Sequence, residues 1–558
     1  MARHRKLTQK FTGFPLFKLV TGRFTYPLTF SFSKELVGLD GLSLDLQFAT
    51  DKTLTARSGP TPVFSRGSSG TFVNANGLIV GKTTATTTSS LTPNSIAIGQ
   101  QIFVIVPSGS VAGWVVGQPI SLIVDTDGQD DPDATELWLL GNITSITAGI
   151  LTFEVTSRTA QAGSASSWTL GYRGPRFDHD PVTLACKGLL IEESRTNQWS
   201  ASEDLGASPW SLINTTTLNS NNTTAPDGLT TADRFTVGST TQEYGVYRNT
   251  FSFVSGTTYT ISCYLKADQV TRVSIYAVTQ ATLPIDAYFD LTGNGSVTAN
   301  ASGTASIQKL SNGWYRCVIT GTALASAITS VRINAATTVN SRNYVGNSVD
   351  SFWAWGAQLE AGAFPTSYIP TTTASVARSA DVCSITGSAF TGMYNATEGT
   401  LISGGSIASL AGSNRGMWGI NNNTGSHGFL TYYDAFLAGV GTQSRNTTAT
   451  ALLPTFANSA NTSFKRGLAY YTGGGSISTN GASVTNTAAV ISTQTMLTLQ
   501  IGSMLGGSFY WSGHLASIRY YKKRLSNAGL IMATDPNANI YSFNGDVYTD
   551  SSSNLYTY

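Results

Sequence analysis

Residues 258–278 read Thr-Tyr-Thr-Ile-Ser-Cys-Tyr-Leu-Lys-Ala-Asp-Gln-Val-Thr-Arg-Val-Ser-Ile-Tyr-Ala-Val. Two runs rich in β-branched and aromatic residues, 258–266 and 272–278, flank a short polar turn, and such residues suit a pleated, half-buried surface. Working outward, the same texture returns at 314–320, 330–334 and 351–355 with turn residues between. That spacing predicts a jelly-roll sandwich over 196–378. A second region, 379–533, repeats it with strands at 399–402, 468–471, 496–501 and 515–521, and Ser526 is placed to cap one short helical turn after them.

Upstream, Leu42-Ser-Leu44-Asp-Leu46-Gln-Phe48 alternates strictly and reads as a strand. From 83 to 170 a Thr/Ser stretch leads into short strands separated by turns, the pattern of a small β-barrel or sandwich inserted into a connecting β-unit (51–82 and 171–195). Residues 1–50 read as an irregular attachment arm and 534–558 as a tail that packs on a neighbour or frays.

Composition agrees with an all-β chain of several domains. Of 558 residues only 11% are charged, against about 25% in ordinary soluble domains. The residues that usually fill helix surfaces are scarce. An all-α protein, a coiled-coil rod and a charged disordered chain are excluded. Apolar residues make up 41% but form no long run, so no membrane insertion is expected. The net charge of +2 is uneven: residues 1–34 carry +7 and no carboxylate, leaving −5 for the rest. Arg3, Arg5, Lys6, Lys10, Lys18 and Arg23 thus form a basic arm that either docks on something negative or keeps the end soluble. Nucleic acid is not the expected partner.

Cys186, Cys263, Cys317 and Cys383 form no CxxC pair, which argues against zinc. Cys263 and Cys317 sit in strand-like runs, where a cysteine serves as a small core residue or could pair with the other. No secretory signal is read, because Pro15 and Lys18 interrupt the apolar stretch it needs.

A series of short motifs carries a resemblance. Gly188-Leu-Leu-Ile-Glu-Glu-Ser-Arg-Thr-Asn197 follows Pro175-Arg-Phe-Asp-His-Asp-Pro181 and precedes Thr224-Ala-Pro-Asp-Gly228 and Thr231-Ala-Asp-Arg234. Asn312-Gly-Trp-Tyr-Arg316, Trp355-Gly-Ala-Gln-Leu-Glu360 and Pro365-Thr-Ser-Tyr-Ile-Pro-Thr371 come later. Together they resemble bacteriophage virion proteins of the tail-fibre, tailspike and head-fibre kind, in which this segment looks like a carbohydrate-binding-module jelly roll. Glu398-Gly-Thr-Leu401 and the run from Leu499 to Ser526 resemble a concanavalin A/laminin-G lectin sandwich.

Sugar C–H faces stack on indole and phenol rings, with fixed polar groups beside them. Trp314, Tyr315, Trp353 and Trp355 are candidate platforms in the first sandwich, and Tyr432, Tyr470 and Trp511 in the second. The alternative for each is core packing. Asp125, Asp127, Asp130, Asp133 and Glu136 have the ligand types of a calcium loop, although Asp130 stands where an EF-hand needs glycine; a solvated turn is the other reading. Glu192 and Glu193 are adjacent on a strand and point apart, unlike the facing acids of a glycosidase. His179, between two aspartates, reads as a turn residue.

These readings imply a non-enzymatic virion appendage, a homotrimer by resemblance. Its N-terminus would bind other virion proteins and its sandwiches a host-surface polysaccharide. The alternatives are a structural head fibre or decoration protein, and a glycan-cleaving tailspike.

Overall fold

In the computed structural model, residues 41–550 are described apart from 108–110, 112–113, 125–134, 148, 424–427, 436, 438, 447–448, 488–494, 505–508, 538 and 544–545. The architecture is all-β, with three short α-helices among the described residues. None of those helices is long and apolar enough to cross a membrane.

The inserted segment is a closed six-stranded barrel in the order Ala165–Tyr172, Lys82–Leu91, Gln101–Ile105, Ile150–Arg158, Leu137–Thr147, Pro119–Val124. Alternation fills it: Ile102 and Val104 point inward while Phe103 and Ile105 face out.

The central jelly roll packs two six-stranded sheets on one core. The first runs Thr217–Thr223, Ala232–Thr236, Ser351–Ala361, Thr258–Ala267, Trp314–Thr322, Thr304–Lys309. The second runs Ser211–Ile213, Gly245–Arg248, Val331–Ala335, Arg272–Ala277, Asp286–Asp290, Ser296–Ala299. Between them lie Phe235, Ile261, Cys263, Leu265, Val273, Ile275, Cys317 and Ile333. Cys263 and Cys317 face each other across adjacent strands, and all four cysteines are free thiols. Burial pushes the Cys263 thiol up to about 12, so it serves as a small apolar residue.

The C-terminal sandwich draws on more of the chain than 379–533. Its eight-stranded sheet includes Leu42–Leu46 and the hairpin Arg176–His179/Cys186–Ile191, both paired along Gly513–Tyr521. Its seven-stranded partner starts from Val63–Ser65. Residues expected to form a separate connecting unit therefore contribute three strands, Val63–Ser65, Arg176–His179 and Cys186–Ile191, to this sandwich. The hydrophobic alternation at 42–48 required a buried face, and Leu44, Leu46 and Phe48 find it against Ile518 and Leu515. Ser526 caps the helix Asn527–Thr534, its Oγ accepting from Gly529 N at 3.1 Å. The tail carries a hairpin, Asn539–Phe543 with Asp546–Asp550.

The two sandwiches and the hairpin meet at an ionic hub. Asp381 accepts from Arg66 at 2.8 Å and Arg176 at 2.5 Å; Glu192 accepts from Arg176 at 2.7 Å and from Arg378. Burial pushes the Glu192 carboxyl up, but Arg378, Arg176 and the Ser367 hydrogen bonds outweigh it and hold it well below the usual range. Glu193 turns instead to Arg195. The hub is sealed inside, with each of its three arginines matched to a carboxylate.

Candidate functional site

The two outer faces of the jelly roll have different fates. On the first sheet, Gly356 (φ +65°) forms a bulge opposite Cys263. The bulge lets Phe352, Ala354, Ala357 and Leu359 all face the core, and sends Trp353 and Trp355 to the other side. That side is covered. Trp314 and Trp355 pack with Ile79, Ala225, Leu310 and Tyr368, and their indoles donate to Thr224 O (3.1 Å) and Thr231 Oγ1 (3.0 Å). Trp353 alone of the four is half-buried; it donates to Asn222 Oδ1 at 3.1 Å, with Lys266 Nζ 5.6 Å from its ring. Tyr315 lies in the sandwich core.

In the second sandwich Tyr470 and Trp511 are core residues; the Tyr470 hydroxyl meets that of Tyr520 at 2.6 Å, and the Trp511 indole donates to Ser406 O at 3.0 Å. Tyr432 lies on the opposite face, buried with Leu430 and Met504. The seven expected platforms are thus dispersed rather than convergent, and six of them have no open ring face. The basic arm residues Arg3, Arg5, Lys6, Lys10, Lys18 and Arg23, and the acidic residues Asp125, Asp127, Asp130 and Asp133, lie outside the described residues. Glu136 is buried. Among the described residues no three His, Cys, Asp or Glu side chains form a metal-holding group.

A convergent polar and aromatic set does exist on the second sheet, its rings covered as well, with Tyr276 7% and Tyr288 2% exposed. Strand alternation builds it: Val273, Ile275, Ile333, Ala287 and Phe289 face the core, so Ser274, Tyr276, Arg332, Asn334, Asp286 and Tyr288 face away. Strand register aligns them in two rows. Tyr247, Arg332, Tyr276 and Asp286 are successive cross-strand partners, and so are Asn334, Ser274 and Tyr288.

Glu243 anchors the centre. Its Oε2 accepts from Arg332 (2.7 Å), from the Tyr276 hydroxyl (2.9 Å) and from Asn334 Nδ2 (3.2 Å). Burial and that carboxylate push the Tyr276 hydroxyl up to about 12, so it stays a proton donor. Arg342 pairs with Asp286, and its guanidinium lies 3.8 Å from the Tyr276 ring centre and 4.9 Å from that of Tyr288. Four buried polar atoms of this set have no hydrogen-bond partner: Ser274 Oγ, Asn334 Oδ1, Arg332 Nε and Arg342 Nε. Ser274 and Asn334 are fully buried at 0% exposure, where an unmet polar atom is costly. Because Glu243 can only accept, the Asn334 amide nitrogen must face it, which leaves the carbonyl oxygen as the unmet atom. The strands at 272–278 and 330–334 are readable from sequence, and their alternation marks Ser274, Tyr276, Arg332 and Asn334 as outward; the strand Asp286–Asp290, which brings Asp286 and Tyr288, is not among those expected.

A second place has acid–base character. A small pocket of about 10 Å³, room for about one water, lies at the foot of the barrel and is lined by Thr71, Lys82, Tyr368 and Arg378 among others. Beside it the Tyr368 hydroxyl donates to Glu203 Oε1 at 3.1 Å. Burial, then the charge of Asp227, pushes the Glu203 carboxyl up to about 7, and burial raises Asp227 to about 6.

No protein-family model and no curated protein matches the chain. Among solved structures it is similar to the CBM40 of the Ruminococcus gnavus IT-sialidase bound to alpha2,3 sialyllactose, with 18% identity and TM-score 0.23 over 26% of this chain and 87% of that one. It is similar to a leech intramolecular trans-sialidase, with 18% identity and TM-score 0.24 over 28% of this chain and 27% of that one. It is also similar to Trypanosoma rangeli sialidase in complex with the inhibitor DANA, with 9% identity and TM-score 0.21 over 88% of this chain and 96% of that one. Scores this low assign the chain neither an activity nor a ligand. All three are sialidases or a module of one. The reading as a bacteriophage tail-fibre virion protein and the reading as a non-enzyme are both withdrawn.

Proposed function

We propose that this chain binds carbohydrate through the outer face of the second jelly-roll sheet. The observation that carries it is the set of unmet polar atoms, Ser274 Oγ and Asn334 Oδ1 above all, beside the rings of Tyr276 and Tyr288. An apolar floor with a few fixed polar groups is how proteins orient a small polar ligand. Retention of the full chain on an immobilised glycan array, and its loss in Y276A, tests the reading; equal retention of Y276A contradicts it.

A second reading, cleavage of glycan, is favoured by one observation. The Glu203 Oε1 accepts from the Tyr368 hydroxyl at 3.1 Å beside the pocket, and burial, then the charge of Asp227, pushes its carboxyl up to about 7, the direction a general acid needs. Release of reducing ends that E203Q abolishes supports this reading, and no release contradicts it.

A further inference from the structure

The charge balance of the second-sheet face narrows the ligand. This inference rests on the binding reading above and specifies the class of sugar. The face carries three arginines, and each is matched by a carboxylate of the same face. Arg332 pairs with Glu243 at 2.7 Å, Arg272 with Asp290 at 2.7 Å, and Arg342 with Asp286. Their fields cancel locally, so no arginine is left over to capture an anion. An acidic sugar would have to break an existing ion pair and would leave a carboxylate of the face beside its own.

The atoms that remain unmet suit hydroxyls instead. Ser274 Oγ can donate or accept, Asn334 Oδ1 accepts, and the Arg332 and Arg342 Nε–H groups donate. A sugar hydroxyl both donates and accepts, so a pair of neighbouring hydroxyls meets donors and acceptors at once. The rings of Tyr276 and Tyr288 lie under the Arg342 guanidinium, which stays paired with Asp286 while its Nε–H meets the sugar. From this geometry we infer that the face takes a neutral, hydroxyl-rich sugar and discriminates against carboxylated ones.

The test is an array with three arms: neutral hexose and N-acetylhexosamine oligosaccharides, sialylated oligosaccharides, and uronate-containing oligosaccharides. The full chain should be retained on the neutral arm, with affinity changing less than about twofold between 50 and 500 mM NaCl, since no net charge is there to be screened. S274A and N334A should each weaken retention at least tenfold. Y276F, which keeps the ring and removes only a hydroxyl, should weaken it as well, and it guards against misfolding of the other two. Retention on the acidic arms alone, or a tenfold loss in high salt, overturns the neutral-sugar inference while leaving the binding reading intact. Retention unaffected by all three variants places the ligand elsewhere and overturns both, as does no retention on any arm.

Discussion

Arg176 and Asp381 form an ion pair at 2.5 Å with neither side chain exposed, although 205 residues separate them. Asp381 also holds Arg66, and it accepts from the Glu192 backbone N–H at 2.8 Å. One carboxylate thus ties the 176–191 hairpin, the segment after Val63–Ser65 and the exit of the jelly roll to one point. Removing its charge leaves the buried Arg66 guanidinium without a carboxylate and Arg176 with Glu192 alone. D381N is therefore expected to destabilise by about 3–5 kcal/mol, the usual result of breaking one side of a buried pair. Thermal unfolding checks this; an unchanged midpoint would show that the hub is dispensable.

Gly188 has φ +109°, and a Cβ there would lie 2.1 Å from the Leu515 carbonyl oxygen. The residue sits where the hairpin pairs with Gly513–Tyr521. G188A should cost roughly 1–3 kcal/mol in backbone strain, and more if pairing fails. Limited proteolysis should then cut the hairpin first. A G188A chain as resistant as wild type would mean that the neighbouring strand gives way freely.

The Glu203 carboxyl is raised in the folded chain to about 7, by burial first and then by Asp227. A raised acid binds more protons folded than unfolded between its two pKa values, so stability falls as pH climbs through that window. The loss begins near the ordinary glutamate range and is complete above about 7. E203Q removes the ionisation, so it should match wild type at pH 4 and unfold at higher temperature than wild type at pH 8. Melting curves at the two pH values decide; a constant difference between the proteins contradicts the assignment.

Much of this architecture is legible in the sequence. The Thr/Ser stretch at 83 and the run of short strands after it mark the inserted barrel, which spans 82–172. Alternation at 42–48 identifies a strand, but not its partner: pairing of Leu44 with Tyr520 spans most of the chain and has no local signature. The same gap explains the tryptophans. Sequence places Trp353 and Trp355 on one face, and they share one. Nothing local says that Ile79 and Tyr368 cover that face, while Tyr276 and Asn334, on strands equally readable, form the better-built site.

Arg342 lies over the Tyr276 and Tyr288 rings and pairs with Asp286. Its Nε–H is one of the donors left for a sugar hydroxyl, and such a bond contributes about 0.5–1 kcal/mol. R342A should bind the neutral-arm sugars about two- to fivefold more weakly than wild type. Tighter binding, measured by calorimetry, would make Arg342 a cap rather than a contact.

The most direct test of the account is a hydrogen-exchange footprint of the full chain with and without a saturating neutral oligosaccharide retained on the array. Slowed exchange in peptides covering Arg272–Ala277, Asp286–Asp290 and Val331–Ala335 is the predicted result. Protection confined to the strands of the C-terminal sandwich, with those three unchanged, would contradict it.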